Sequence, residues 1–146
     1  MSTGLVFAVR LMEVAHDPVV TAVVVDRDDT FADRLSLLLR KELGLKVLAI
    51  AGTLEAGVAA CACHRPSLVV IDADLSAACG LPILESLVIS SPATAIVMVS
   101  GRSPCTTCPF TQGPHMQIDL RLSKDQPAEE MTAALRRTLQ DLGTVG

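Results

Sequence analysis

The sequence predicts an open, doubly wound α/β domain: a five-stranded parallel sheet with helices on both faces. Short aliphatic runs alternate along the chain with segments of helical periodicity, and half of the residues are hydrophobic although Trp and Tyr are absent and Phe occurs three times. Strands covered on both faces read as continuous Val, Ile and Leu runs, because neither face has to meet water. With 146 residues the chain is long enough for one continuous core and too short for a second enzymatic domain. The pattern assigns residues 1–18 to an N-terminal extension, 19–142 to the domain and 143–146 to a tail.

Four aliphatic runs are expected to be buried strands: Val19 to Asp26, Leu45 to Ala51, Ser67 to Asp72 and Thr94 to Ser100. After the first, Thr30 is a candidate cap for a helix whose Phe31, Leu35, Leu38 and Leu39 recur at helical spacing and which Gly44 ends. A second helix is expected from Leu54 to His64, started by Thr53 and stopped before Pro66. A third begins at Pro82 and runs through Val88, before Ser91 and Pro92. Met116 to Leu122 alternates apolar with polar, as an edge strand does when one side meets solvent. The last helix opens at Pro127, with Glu129 and Glu130 in its first turn and Arg136 and Arg137 late, as the helix dipole favours. Residues 101–114 carry three Pro and two Gly, so the expected fourth helix region is irregular.

The net charge of −4 and the lack of any Lys or Arg run leave no electrostatic footprint for direct nucleic-acid binding or for an anionic membrane surface. The apolar stretch at the start is interrupted by Arg10 and Glu13 and has no basic segment before it, which predicts neither a signal peptide nor a membrane span, and hence a cytoplasmic protein. Residues 1–18 then form either a disordered extension or an amphipathic segment that covers apolar surface.

Polar residues stand at the carboxyl ends of the strands, where an open α/β sheet places its site: Asp26, Asp28 and Asp29 after the first, Asp72 after the third, Ser100 after the fourth and Lys124 after the fifth. Right-handed crossovers bring these ends to one edge. Crowded carboxylates repel, so such a cluster calls for a divalent cation, and an all-oxygen set favours Mg²⁺, with Asp26, Asp28 and Asp72 the candidate ligands. Asp72 would attack a phosphoryl group, Lys124 and the metal would neutralise its oxygens, and Ser100 would donate a hydrogen bond to it.

These residues, in this order, resemble the response-regulator receiver family over roughly residues 20 to 142. VVVDRDD supplies the acidic cluster after the first strand, IDADLSAACG places Asp72 eight residues before Gly80, VMVSG supplies Ser100 and RLSKD supplies Lys124. The resemblance implies a flavodoxin-like strand order 2-1-3-4-5, with Asp72 as phospho-acceptor, Asp26 in a Mg²⁺ site, Ser100 as switch hydroxyl and Lys124 as the cation on the phosphoryl group. It also implies a histidine kinase or phosphotransfer protein as donor, and a downstream protein or a separate output domain as target. The chain itself is then a signalling module and not an enzyme; homodimerisation is left open.

Three positions depart from the family pattern. Arg27 stands where a second adjacent acid is usual, Arg121 where an aromatic is common three residues before the Lys, and Asp125 in place of the usual Pro after it. Asp28, Asp29 or Asp74 is then a substitute metal ligand, or the Arg27 guanidinium pairs with Asp72 and takes the cation's place. A receiver without phosphotransfer, acting as an interaction module, is the alternative these departures raise.

Five Cys in a chain with no export signal argue for reduced thiols. Cys105 and Cys108 form a CxxC, and Cys61, Cys63, His64, Cys79 and His115 add potential ligands, which raises a zinc or thiol redox protein as a third reading. The Cys61/Cys63 pair falls on a helix that the fold separates from the CxxC, whereas Cys79 lies in an adjoining loop.

Overall fold

A computed structural model describes residues 20–76, 81–101 and 118–143. In chain order these form β1 (Thr21–Val25), α1 (Asp29–Leu43), β2 (Lys46–Ala51), α2 (Leu54–His64), β3 (Leu68–Asp72), the single turn α3 (Ala73–Ser76), α4 (Leu81–Ser90), β4 (Ala95–Ser100), β5 (Leu120–Ser123) and α5 (Ala128–Asp141). All neighbouring strands are parallel, in the order β2-β1-β3-β4-β5. The doubly wound sheet and its 2-1-3-4-5 order are as the sequence predicts. Gly80, Cys79, the proline-rich stretch from 102 onward with Cys105 and Cys108, His115, the extension and residues 144–146 lie outside the described residues.

The sheet separates two apolar layers, because alternate residues of each strand point to opposite faces. Ala22, Val24, Val70 and Val97 pack against Leu35 and Leu39 of α1 and Leu135 and Leu139 of α5. Val23, Val25, Val69, Ile71 and Met98 face the other way, toward Leu54 and Cys61 of α2 and Leu87 of α4. β1, β3 and β4 are buried along nearly their whole length, which is why they read as unbroken aliphatic runs. α2 comes closest to the sheet at Gly57, where a Cβ would sit 2.5 Å from Cγ2 of Val25. Only a residue without a side chain permits that approach.

Several boundaries differ from the sequence expectation. α1 starts at Asp29 and is capped by Asp28, whose carboxylate accepts from the amides of Thr30 and Phe31. Three capping-competent residues stand in a row there, and the chain uses the first because Asp28 already has extended backbone. Gly44 ends this helix in the left-handed conformation, as expected. Thr53 caps α2 as expected, and Arg65, at φ 46°, turns the chain toward Pro66. α4 starts one residue before Pro82 and reaches Ser90.

Pro127 occupies the cap position of α5 and not its first turn. The edge strand is Leu120–Ser123, later and shorter than the alternating Met116 to Leu122. Arg136, expected to complement the dipole of its own helix, donates from Nη2 to the carbonyl of Glu42 in the last turn of α1. There it satisfies an otherwise unpaired helix-end carbonyl.

Candidate functional site

The backbone ladder brings Asp26, Asp72, Ser100 and Lys124 to the carboxyl edge before any side chain is considered. Val25 pairs with Ile71 and Asp72 with Val99, while Ser100 pairs with Ser123, the residue before Lys124. The amide of Asp26 donates to the carbonyl of Ala51 at 2.9 Å, and that of Lys124 to the carbonyl of Ser100 at 2.7 Å. Both backbones are therefore fixed by the neighbouring strands at the point where the side chains leave the sheet.

At this edge the Lys124 ammonium lies between two carboxylates. Nζ is 2.9 Å from Oδ2 and 3.2 Å from Oδ1 of Asp26, and 3.6 Å from Oδ2 of Asp72. The carboxylates are 3% and 2% exposed and the lysine side chain 17%, so the charges meet where water screens them poorly. Each carboxylate is also oriented from behind. Oδ1 of Asp26 accepts from the amide of Asp28 at 2.8 Å, and Oδ1 of Asp72 from the amide of Asp74 at 2.9 Å. These bonds leave Oδ2 of Asp72 directed at the cation.

Burial pushes the Asp72 carboxyl above its ordinary range; the amide of Asp74 opposes this, Asp26 reinforces it by repulsion and hydrogen bonding, and the Lys124 charge pulls it back. For Lys124, burial acts to lower the pKa, but hydrogen bonding to Asp26 and the charges of Asp72, Asp26 and Asp28 outweigh it, and the net shift is upward. Lys124 is thus held as an ammonium against a carboxyl that resists ionisation.

Phe31 was legible in the sequence only as an apolar position of α1, yet its ring centroid lies 4.7 Å from Nζ of Lys124. A ring face at that range attracts a cation. The available signal was an aromatic in the first turn of a helix that begins just after the acidic cluster. Ser100 is buried at the end of β4. Asp28 is exposed and spends Oδ1 on capping α1, so Asp26 and Asp72 are the carboxylates that converge on Lys124. Asp74 is exposed as well, with Oδ2 3.7 Å from where a Cβ on Gly101 would lie.

The expected alternative in which Arg27 pairs with Asp72 is not what the structure shows. Arg27 is exposed, and the cation against Asp72 is Lys124. The Asp28 amide bound to Asp26 closes a tight turn at this point, and Arg27 is its outward residue. Among the described residues no three His, Cys, Asp or Glu side chains form a metal-ligating group. Cys61 is buried, with its thiol pushed up to about 11 by burial, and Cys63 is exposed on the same helix.

An open doubly wound sheet with two buried carboxylates and a lysine at its carboxyl edge defines an α/β domain with a charged site where such folds place theirs. The family described as the response regulator receiver domain matches residues 22–136, and the chain belongs to it. The chain is a receiver domain of a response regulator in two-component signalling, a family of signalling modules. Its fold is similar to a CheY-like receiver domain protein from Methanospirillum hungatei JF-1, at 20% identity and TM-score 0.70, covering 86% of this chain and 98% of that one. It is similar also to the receiver domain of the putative response regulator NarL from Mycobacterium tuberculosis, at 18% identity and TM-score 0.69, covering 84% and 97%. A third similar structure is a response regulator protein from Burkholderia pseudomallei with a phosphorylated aspartic acid, calcium ion and citrate, at 21% identity and TM-score 0.65, covering 85% and 71%. Comparison with curated protein sequences gives no match. Among the described residues no helix is long and apolar enough to cross a membrane.

Proposed function

We propose that this receiver accepts a phosphoryl group on Asp72 from a phosphohistidine donor and signals by changing which protein it binds. The observation that carries the reading is the buried Oδ2 of Asp72 with the Lys124 ammonium 3.6 Å away. In the transfer, an Asp72 oxygen forms a bond to phosphorus as the phosphorus–nitrogen bond of the donor breaks, and the imidazole leaves with the electron pair. Lys124 neutralises charge on the phosphoryl oxygens, and the Ser100 hydroxyl, at the end of the adjacent strand, donates to one of them.

Asp26 and Asp72 fit Mg²⁺ as a pair of buried carboxylates, since this ion keeps several waters and takes only one or two protein carboxylates. Asp28 would join them only through the oxygen not engaged in capping. Bound there, the ion would screen Asp72 from Asp26 and neutralise the incoming phosphoryl group. The Burkholderia pseudomallei protein, with a phosphorylated aspartic acid and a calcium ion, gives a precedent on a similar fold. A histidine kinase or phosphotransfer protein is the donor in this reading, the protein works in the cytoplasm, and the output lies on a partner protein or a separate domain.

The exposed Arg27, in place of a second acid, supports a second reading in which the fold is kept as an interaction module without phosphotransfer. Incubation with acetyl phosphate and Mg²⁺, followed by mass spectrometry of the intact protein, separates the two. A phosphoryl adduct that Asp72→Asn abolishes supports phosphotransfer; the absence of any adduct on the native chain overturns it. The redox reading rests on Cys105 and Cys108, outside the described residues, and zinc content with thiol titration tests it.

A further inference from the structure

We propose that Phe31 is a positioning residue for phosphoryl transfer, its ring holding the Lys124 ammonium beside the Asp72 carboxylate. The inference rests on the phosphotransfer reading of Asp72. Nζ of Lys124 stands over the ring, 4.7 Å from its centroid and 3.6 Å from Oδ2 of Asp72. The second distance is beyond hydrogen-bond reach, so Asp72 attracts the ammonium by charge without anchoring it.

A closed circuit of contacts that omits Asp72 does the anchoring. Oδ1 of Asp26 accepts from the amide of Asp28 at 2.8 Å, and Oδ1 of Asp28 accepts from the amide of Phe31 at 3.2 Å. The Phe31 ring meets Lys124, whose Nζ returns to both oxygens of Asp26. Two links of this circuit are bonds from backbone amides to carboxylates at the start of α1. Phe31 is therefore placed through the same carboxylate that binds the lysine. The ring is half-buried and packs on the α1/α5 apolar layer, which supports it.

A lysine needs such a guide, because its four-carbon stem is flexible and its ammonium is a point charge without a fixed fork. The root of the stem is held: the Lys124 amide donates to the carbonyl of Ser100 at 2.7 Å, and Oε1 of Gln126 accepts from the amide of Ser123 at 2.8 Å. Asp26 holds one side of the head. The ring adds a further restraint, attracting the cation while offering no oxygen that would compete with those of a phosphoryl group. When Asp72 exchanges its own charge for that of a phosphoryl group, the circuit stays intact, since Asp72 is not one of its members.

Two measurements test this. In metal-free protein, the ring current of Phe31 is expected to move the NMR signals of the Lys124 ε-methylene protons upfield. Phe31→Leu, which keeps an apolar side chain on α1, is expected to remove that shift, and Phe31→Tyr to retain it. With acetyl phosphate and Mg²⁺, an Asp72 oxygen bonds to phosphorus and acetate leaves with the electron pair of the broken phosphorus–oxygen bond. Here Phe31→Leu is expected to slow the appearance of the adduct about tenfold, and Phe31→Tyr to restore most of the rate. In a Lys124→Met background, Phe31→Leu is expected to change the residual rate by less than about twofold. A Phe31→Leu protein that reacts as fast as the native one, an equal slowing with and without Lys124, or Lys124 protons indifferent to loss of the ring would each overturn the role of Phe31 and leave phosphotransfer standing. No adduct on the native chain would overturn both.

Discussion

Lys124 and Asp26 are 98 residues apart in sequence, and the lysine Nζ reaches both oxygens of that carboxylate, at 2.9 and 3.2 Å. The contact ties the last strand of the sheet to the first across β3 and β4. It also holds the ammonium beside Asp72 and over the ring of Phe31. One side chain thus provides charge balance for two buried acids and joins the end of the first strand to the end of the last.

Removing that charge is expected to be costly. Lys124→Met leaves Asp26 and Asp72 buried together with no cation between them, and urea denaturation at pH 7 without metal is expected to show a loss of about 3–4 kcal/mol. Adding Asp72→Asn to this variant is expected to recover part of the loss, because one of the two facing charges is gone. A Lys124→Met protein as stable as the native one would contradict the proposed charge balance.

Asp72→Asn alone is expected to stabilise the domain at neutral pH. Burial raises the Asp72 pKa, so the folded protein holds this proton more tightly than the unfolded chain does. The resulting stabilisation is fully present below the unfolded carboxyl value of about 3.9 and is lost as pH rises through the raised folded value. As pH rises, ionisation of the buried Asp72 carboxyl therefore works against the fold, a burden that Asn does not carry, while Asp26 still partners Lys124. Thermal unfolding in chelator is expected to show a gain of about 2–5 °C at pH 7 that shrinks toward pH 4.

At Gly57 a methyl group has no space. Its Cβ would meet both γ-carbons of Val25, at 2.5 and 2.9 Å, and the Val25 side chain is itself buried in the layer beneath α2. Gly57→Ala is expected to cost about 1–3 kcal/mol in spite of the better helix propensity of Ala. The double variant Gly57→Ala with Val25→Ala is expected to lose less than the sum of the two single changes.

The two described thiols are expected to react very differently. Cys61 is buried with its pKa near 11, whereas Cys63, two residues on, is exposed. Iodoacetamide at pH 8 is expected to modify Cys63 in the native protein and to leave Cys61 untouched until the protein unfolds. Peptide mapping after timed labelling checks this.

The parts of the fold that the sequence showed clearly are those where burial acts on every residue of a run. Val23, Val24, Val69, Val70 and Val97 are inaccessible or nearly so, and no polar residue interrupts their strands. The position of Lys124 opposite Asp26 was legible as well, because parallel strands with right-handed crossovers place all carboxyl ends on one edge. At the edge strand the same logic weakened. Leu120–Ser123 has one partner strand and a single buried residue, Leu122, so alternation began too early in the sequence to mark where pairing starts.

Side-chain direction was the part the sequence withheld. Arg27 offered a charge that fits Asp72, and only the turn closed by the Asp28 amide on Asp26 shows that it faces solvent. Phe31 fitted the helical pattern of a core residue; its place against the Lys124 ammonium is a long-range contact that helical periodicity does not encode. Asp28, Asp29 and Thr30 are all competent caps, and backbone conformation, invisible in composition, chose among them.

The partition of the interior by the sheet has a consequence for how the domain tolerates change. β1 sends Ala22 and Val24 into one layer and Val23 and Val25 into the other, so adjacent residues answer to different helices. Side-chain volume can be traded within the α1/α5 layer without asking anything of the α2/α4 layer, and the reverse holds too. The molecule is in this respect two half-cores sharing one wall of backbone, and that wall ends at the buried carboxylates Asp26 and Asp72.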